Sequence, residues 1–238
     1  MEKNMQIKKA LVTGVSKGLG KELCFILHNL GYEVHGISRT PKSLLNKKLS
    51  KSLNTYYQID LAAKTDIDQF INDNKNSFDL FILNASGRNF NQFSNFQSSE
   101  IESLINSSFT HQLLILNHVL RIMLSKNKGY IMIISSKSGI KGYSSGSIYC
   151  AIKAAWITIH ESISRELKDS NINLLTIISD SFSDIKGNKK PFFHKNIRNI
   201  HNVLSNLEKF KKSKVIYSLT LKTRFLVFLT YCKKAIFI

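Results

Sequence analysis

Apolar and polar positions follow two rhythms along the first three-quarters of the chain. Short apolar runs ending on glycine or a polar residue alternate with longer stretches whose apolar residues recur three and four apart. Residues 9–14, KALVTG, read as a buried strand closed by glycine. Residues 19–31 then place Leu23, Ile26, Leu27 and Leu30 at helical spacing until Gly31 stops the helix. Residues 32–38 alternate as a strand does, 56–60 form another short strand, and 64–75 read as a helix. The runs 78–86 and 129–136 are apolar almost throughout, the pattern of central parallel strands covered on both faces. Helical patterns fill 100–125 and 147–169, and 172–179 is a further strand.

Strands alternating with helices predict an α/β fold: one doubly wound parallel sheet of the Rossmann type, in three α/β/α layers with right-handed crossovers. Ligands in such a sheet bind beyond the carboxyl ends of the strands. Here those ends are Thr13–Gly14, Ser38–Arg39, Asp60, Asn84, Ser135–Ser136 and Ser179, every one polar or glycine. That row predicts a site. Residues 1–200 read as one dinucleotide-binding and catalytic domain, and residues 201–238 as a basic segment of the same domain.

Charge changes the picture less than its total suggests. The net charge is +18 in 238 residues, which invites a nucleic-acid partner. Residues 1–182 hold 21 Lys and Arg against 14 Asp and Glu, whereas residues 183–238 hold 13 against 2. The excess is concentrated towards the C-terminus, so the prediction is against nucleic acid as the main partner. Three scattered cysteines make neither a disulfide framework nor a metal site, and the seven histidines show no ligand spacing. The N-terminus has no apolar core of a secretory signal, and Lys222 and Arg224 interrupt the apolar stretch near the end. A cytoplasmic protein without a transmembrane segment is expected.

The loop TGVSKGLG, residues 13–20, joins the first strand to the first helix. Glycines at 14, 18 and 20 permit a tight turn, a close backbone approach and a helix N-terminus aimed at an anion. Gly14, Ser16, Lys17, Gly18, Leu19 and Gly20 are therefore candidate contacts to a dinucleotide phosphate. A site that prefers NAD places a carboxylate about twenty residues further on, at the ribose hydroxyls. Here the second strand ends in Ser38–Arg39 and Lys17 lies inside the loop, so two cations and no acid favour NADP, with NAD as the alternative.

In SIYCAIKAAW, residues 147–156, Tyr149 and Lys153 stand four apart and share one helical face. With 8 tyrosines in a lysine-rich chain, one such pair is expected by chance, and its meaning comes from its surroundings.

Those surroundings resemble the short-chain dehydrogenases/reductases. TGVSKGLG matches the family's TGxxxGxG loop, and LNASG (83–87) resembles its Asn-Asn-Ala-Gly strand end with an inserted serine and a lost asparagine. SLINSSF (103–109) resembles its asparagine-bearing helix, YIMIISSKSG (130–139) its serine-bearing strand, and YCAIK (149–153) its Tyr-x-x-x-Lys pair. The resemblance implies catalytic Asn106, Ser136, Tyr149 and Lys153. Ser136 is preferred to Ser135 because the family's serine lies thirteen residues before its tyrosine. It further implies that Lys153, with Tyr149 beside it, also holds the nicotinamide ribose. Asp60 and Leu61 would border the adenine, and Asn84, Ala85, Ser86 and Gly87 would pass under the adenosine ribose. The substrate is expected to be a small carbonyl compound or secondary alcohol, and the assembly a homodimer or homotetramer. A tyrosine hydroxyl titrates near 10 unperturbed. The Lys153 ammonium and an oxidised nicotinamide would lower it, at about 3–4 kcal/mol of differential interaction.

The resemblance fails after 178. The expected Pro-Gly and threonine are replaced by SDSFSD (179–184), with Asp184 at the threonine position, and the substrate loop falls in 179–200. The tail 201–238 has strand-like runs at 215–221 and 225–231 flanked by lysines. A core strand, a basic apolar patch for a membrane surface or partner, and a replaced tail on an inactive relative all stay open. Two other functional readings stay open with them: a cofactor-binding protein without turnover, acting as a regulator or interaction module, and a basic nucleic-acid or membrane-surface binder on an inherited fold.

Overall fold

A computed structural model describes residues 8–179, 190–209 and 214–218, without the side chains of 190–196 and 214–218. Asp180 and Asp184 and the run 225–231 lie outside the described residues. Among the described residues seven parallel strands form one sheet in the order β3-β2-β1-β4-β5-β6-β7. They are β1 (Lys9–Thr13), β2 (Glu33–Ser38), β3 (Thr55–Gln58), β4 (Leu80–Leu83), β5 (Gly129–Ser136), β6 (Ile172–Ser179) and β7 (Lys214–Ser218). The helices are α1 (Gly18–Asn29), α2 (Lys47–Ser52), α3 (Lys64–Asp73), α4 (Ser98–Ile105), α5 (His111–Lys126), α6 (Ser147–Glu166) and α7 (Lys190–Leu204).

The central strands β1, β4, β5 and β6 are largely apolar because both faces are covered. Ala10, Val12, Leu80, Ile82, Met132 and Ile134 point to the side packed by Leu23, Leu27, Leu49, Ile200 and Val203 from α1, α2 and α7. Their neighbours Leu11, Phe81, Leu83, Ile131 and Ile133 point to the other side, against Phe70, Ile115, Val119, Ile152 and Trp156 from α3, α5 and α6. Alternate side chains of these central strands thus enter two separate cores. The strand order reverses direction between β1 and β4, which opens the crevice where this architecture takes ligands.

Two elements differ from the sequence expectation, and a third follows it. The helical pattern of 100–125 is two helices, α4 and α5, separated by a π turn at Asn106–Thr110. The stretch expected to carry the substrate loop, 179–200, contains most of α7, whose Ile200, Val203 and Leu204 are buried on the sheet. The strand-like run at 215–221 is represented by β7, which pairs parallel with β6 from Leu174↔Lys214 to Ile178↔Ser218. Among the described residues no helix is long and apolar enough to cross a membrane.

Candidate active site

The glycine loop lies at the strand-order reversal. Gly14 has φ +74°, and a Cβ there would stand 2.8 Å from Ala85 Cα, so only glycine lets the β1 and β4 ends approach this closely. At Gly20 a Cβ would stand 2.1 Å from the Gly14 carbonyl oxygen. Gly18, at φ +57°, faces open space with no atom within 4 Å of a Cβ position. Helix α1 has no side-chain cap and no acid in its first turn, and exposed Lys17 occupies its N-cap. Uncapped amides, open space and a nearby cation fit a dinucleotide pyrophosphate. Gly20→Ala is expected to lower folding stability by about 1–3 kcal/mol, since the obstructing atom is backbone. Urea unfolding reads this directly, and a midpoint equal to wild type would mean that the turn opens without cost.

At the end of β2, Ser38 is buried and its Oγ lies 2.7 Å from the Tyr56 hydroxyl, which also reaches the Ser38 and Thr40 carbonyls. Ser38 is thus engaged by Tyr56, while Arg39 next to it and Lys17 in the glycine loop are exposed. After β3, Asp60 Oδ1 accepts from the Ala62 amide at 2.9 Å, and the carbonyl of buried Leu61 meets His111 Nδ1 at 2.8 Å.

A polar hub that sequence reasoning missed joins the crevice to the π turn. Thr13 Oγ1, fully buried, donates to Gln112 Oε1 at 2.9 Å and accepts from the Asn84 and Ala85 amides at 3.0 Å each. Gln112 Nε2 donates to the Ala85 carbonyl at 2.8 Å and to the Ser107 carbonyl at 3.1 Å. Asn84 Nδ2 donates to the Thr13 and Gly14 carbonyls at 2.9 and 3.3 Å. The network holds Asn84 to Gly87 against the glycine loop. Ser86 lies at its outer end, and the Gly87 amide donates to Ser108 Oγ at 2.8 Å. Asn106 begins the π turn and its carbonyl accepts from the His111 amide, five residues on. The Ser108 carbonyl in the same turn accepts from the Trp156 indole at 3.0 Å, locking the turn to α6. Such turns widen a helix and recur at functional sites.

Helix α6 presents Tyr149 and Lys153 on one face, with Lys153 Nζ 5.7 Å from the centre of the tyrosine ring. Ser135 and Ser136 divide their work. Ser135 Oγ donates to the Lys153 carbonyl at 2.9 Å and anchors the helix. Ser136 Oγ, bonded to Ser138 Oγ at 3.1 Å, lies near enough to the Tyr149 phenol to help lower its pKa. Of the two serines, Ser136 is the one that meets the tyrosine.

The electrostatics differ from expectation. Burial raises the Tyr149 pKa above the usual phenol value, opposed by the positive charge of Arg88 and then by the Ser136 hydrogen bond. Lys153 is 4% exposed, and burial, reinforced by Arg88, pushes its pKa down to about 7. Its Nζ donates to the Ile134 carbonyl at 2.9 Å. The cation that favours the phenolate here is therefore Arg88. The reason is dielectric: an ammonium taken out of water loses its charge more readily than it stabilises a neighbour's.

Arg88 was not singled out from sequence, although it directly follows LNASG; nor was Phe90, whose ring meets the Tyr149 ring edge-on at 5.8 Å. No spacing rule would have found Gln112, which matters through a buried contact 99 residues from Thr13 in sequence. Among the described residues no group of three His, Cys, Asp or Glu could hold a metal ion.

Comparison with known proteins agrees with this architecture. The short chain dehydrogenase family matches residues 8–183. A 3-oxoacyl-(acyl-carrier-protein) reductase of Buchnera aphidicola is 31% identical over 180 residues, covering 74% of this chain and 73% of that protein. A short-chain dehydrogenase of Streptomyces avermitilis superposes with TM-score 0.81 at 18% identity, over 97% of this chain and 94% of the other. A metagenomic short-chain oxidoreductase in complex with NADP superposes with TM-score 0.74 at 21% identity, over 90% of this chain and 98% of the other. The chain belongs to the short-chain dehydrogenase family of NAD(P)-dependent oxidoreductases, which act on small molecules.

Proposed function

We propose that the protein interconverts a small carbonyl compound and a secondary alcohol with NADP as cofactor, using Tyr149 as the general acid and base. The observation that carries this reading is Tyr149 and Lys153 on one face of α6, Lys153 Nζ 5.7 Å from the tyrosine ring, with Ser136 beside the phenol, at the strand ends that also carry the glycine cradle. The bound nicotinamide would supply or accept the hydride. In the reducing direction the protonated Tyr149 phenol gives its proton to the substrate oxygen, and in the oxidising direction the phenolate takes one from the alcohol. Ser136 donates a hydrogen bond to the same oxygen, where negative charge develops. Lys153 holds the nicotinamide ribose, and Asn106 fixes the water through which protons reach it.

The remaining residues bind. Gly14, Ser16, Gly18, Leu19 and Gly20 receive the pyrophosphate; Asp60 and Leu61 border the adenine; Asn84 to Gly87 support the adenosine ribose. Lys17 and Arg39 take the ribose 2′-phosphate, a role supported by their exposure and by the absence of an acid at the β2 end. The Buchnera relative acts, by its name, on a 3-oxoacyl group, a carbonyl of the proposed class.

NADPH oxidation across a panel of ketones and 3-oxo esters tests the reading. Turnover is expected, with a higher kcat/KM for NADPH than for NADH. Arg39→Asp is expected to cut that preference by about 10–100-fold, the value of a charge-assisted hydrogen bond. NADPH binding without consumption by any carbonyl would replace the reading with a cofactor binder lacking turnover. Equal use of NADH by the wild-type protein would return the cofactor to NAD.

A further inference from the structure

We infer that Arg88 is a specificity residue: it receives an anionic group, a carboxylate or phosphate, carried by the substrate close to its reacting carbonyl. The inference rests on the carbonyl-reductase reading above and narrows its substrate class.

The segment 87–91 is held on both sides of Arg88. The Gly87 amide is bonded to Ser108, Asn89 Nδ2 donates to Glu100 Oε1 at 3.0 Å, and the Asn91 amide donates to the Ser145 carbonyl at 3.0 Å. Two residues after Arg88, the Phe90 ring packs edge-on against Tyr149 and lies 6.2 Å from the Tyr143 ring. The backbone of Arg88 is therefore fixed beside the reacting phenol. Its side chain is exposed, and among the described residues no carboxylate pairs with it. Its charge is felt at both Tyr149 and Lys153. Phe90 and Tyr143 are 53% and 47% exposed, so an aromatic wall stands open beside Tyr149, beginning two residues along the chain from Arg88. An unpaired planar fork next to apolar faces suits a compact anion attached to an apolar body.

Matched acids and esters test the proposal: benzoylformate against methyl benzoylformate, and acetoacetate against methyl acetoacetate, each with NADPH. The acid is expected to have the higher kcat/KM of each pair. Arg88→Gln is expected to lower the acid-over-ester ratio by about 10–100-fold, as loss of one charge-assisted contact would, and Arg88→Lys to restore part of it. A further expectation is that the Arg88→Gln loss lies in KM for the acid and not in KM for NADPH. Wild-type protein that uses acid and ester equally, or a variant that loses both in proportion, would overturn the inference while leaving carbonyl reduction intact. If no carbonyl oxidises NADPH, the underlying reading falls and the inference with it.

Discussion

Tyr149→Phe is expected to reduce carbonyl turnover by about 10²–10⁴-fold, the usual share of a positioned general acid, while NADPH binding changes little. The substitution removes one oxygen and keeps the ring, so the edge-on contact with Phe90 and the packing of α6 persist. What disappears is the phenolic proton donor, which lies beside Ser136. NADPH fluorescence titration alongside steady-state rates separates the two effects. A variant retaining a tenth of wild-type turnover would remove Tyr149 from the chemistry. The pH dependence has a definite sign. Burial favours the neutral phenol, so the donor form needed for reduction is retained across the neutral range. Alcohol oxidation needs the phenolate and is expected to rise with pH through the same range. Its failure to rise would place the base elsewhere.

Lys153→Met is expected to inactivate the enzyme and yet raise its melting temperature near neutral pH. The folded-state pKa of Lys153 is lowered to about 7 from 10.5 because the group is buried. The unfolded chain therefore holds more protons at this residue between those two values. Its contribution to stability is least favourable below pH 7, recovers as pH rises, and is neutral above 10.5. The difference is on the order of 4–5 kcal/mol at pH 7. Loss of the hydrogen bond to Ile134 returns about 1 kcal/mol, and an imperfect fit of the thioether takes more. A net gain of about 2 kcal/mol, or about 5 °C in Tm, is expected. The gain should shrink towards pH 10 as the wild-type lysine becomes neutral. Melting curves of both proteins from pH 6.5 to 10 give the comparison, in which the other titrating groups cancel. A variant less stable than wild type throughout would mean that Lys153 carries no burial penalty.

The fold was largely legible because its signals are local. A buried parallel strand announces itself by an unbroken apolar run, and 129–136 and 172–179 were placed with the boundaries seen in the structure. Candidate residues at the strand ends were legible for the same reason: the β1–α1, β4 and β5 ends carry short motifs in fixed order. The π turn was not legible, because weak helix formers such as Asn106–Thr110 do not reveal whether a helix widens, and the widening occurs in a context of bonds from Gln112 and Trp156. The charge at Lys153 was misjudged for a similar reason. Four-residue spacing predicts proximity to Tyr149, and the ring distance agrees, but burial is a property of everything packed around α6. Helix α7 escaped because its pattern starts beyond the last recognisable motif.

The pairing of β7 with β6 has a mechanical consequence for the molecule. Every residue of β6 is buried, and five of them, Leu174 to Ile178, are partnered on their outer side by the short strand β7. A chain ending before Lys214 would leave that row of amides and carbonyls facing water alongside some of the most apolar residues in the sheet. Such a margin recruits any strand it meets, including the same margin on another molecule. The basic segment that looks dispensable by motif thus works as a selvedge, keeping the sheet from knitting itself to its neighbours.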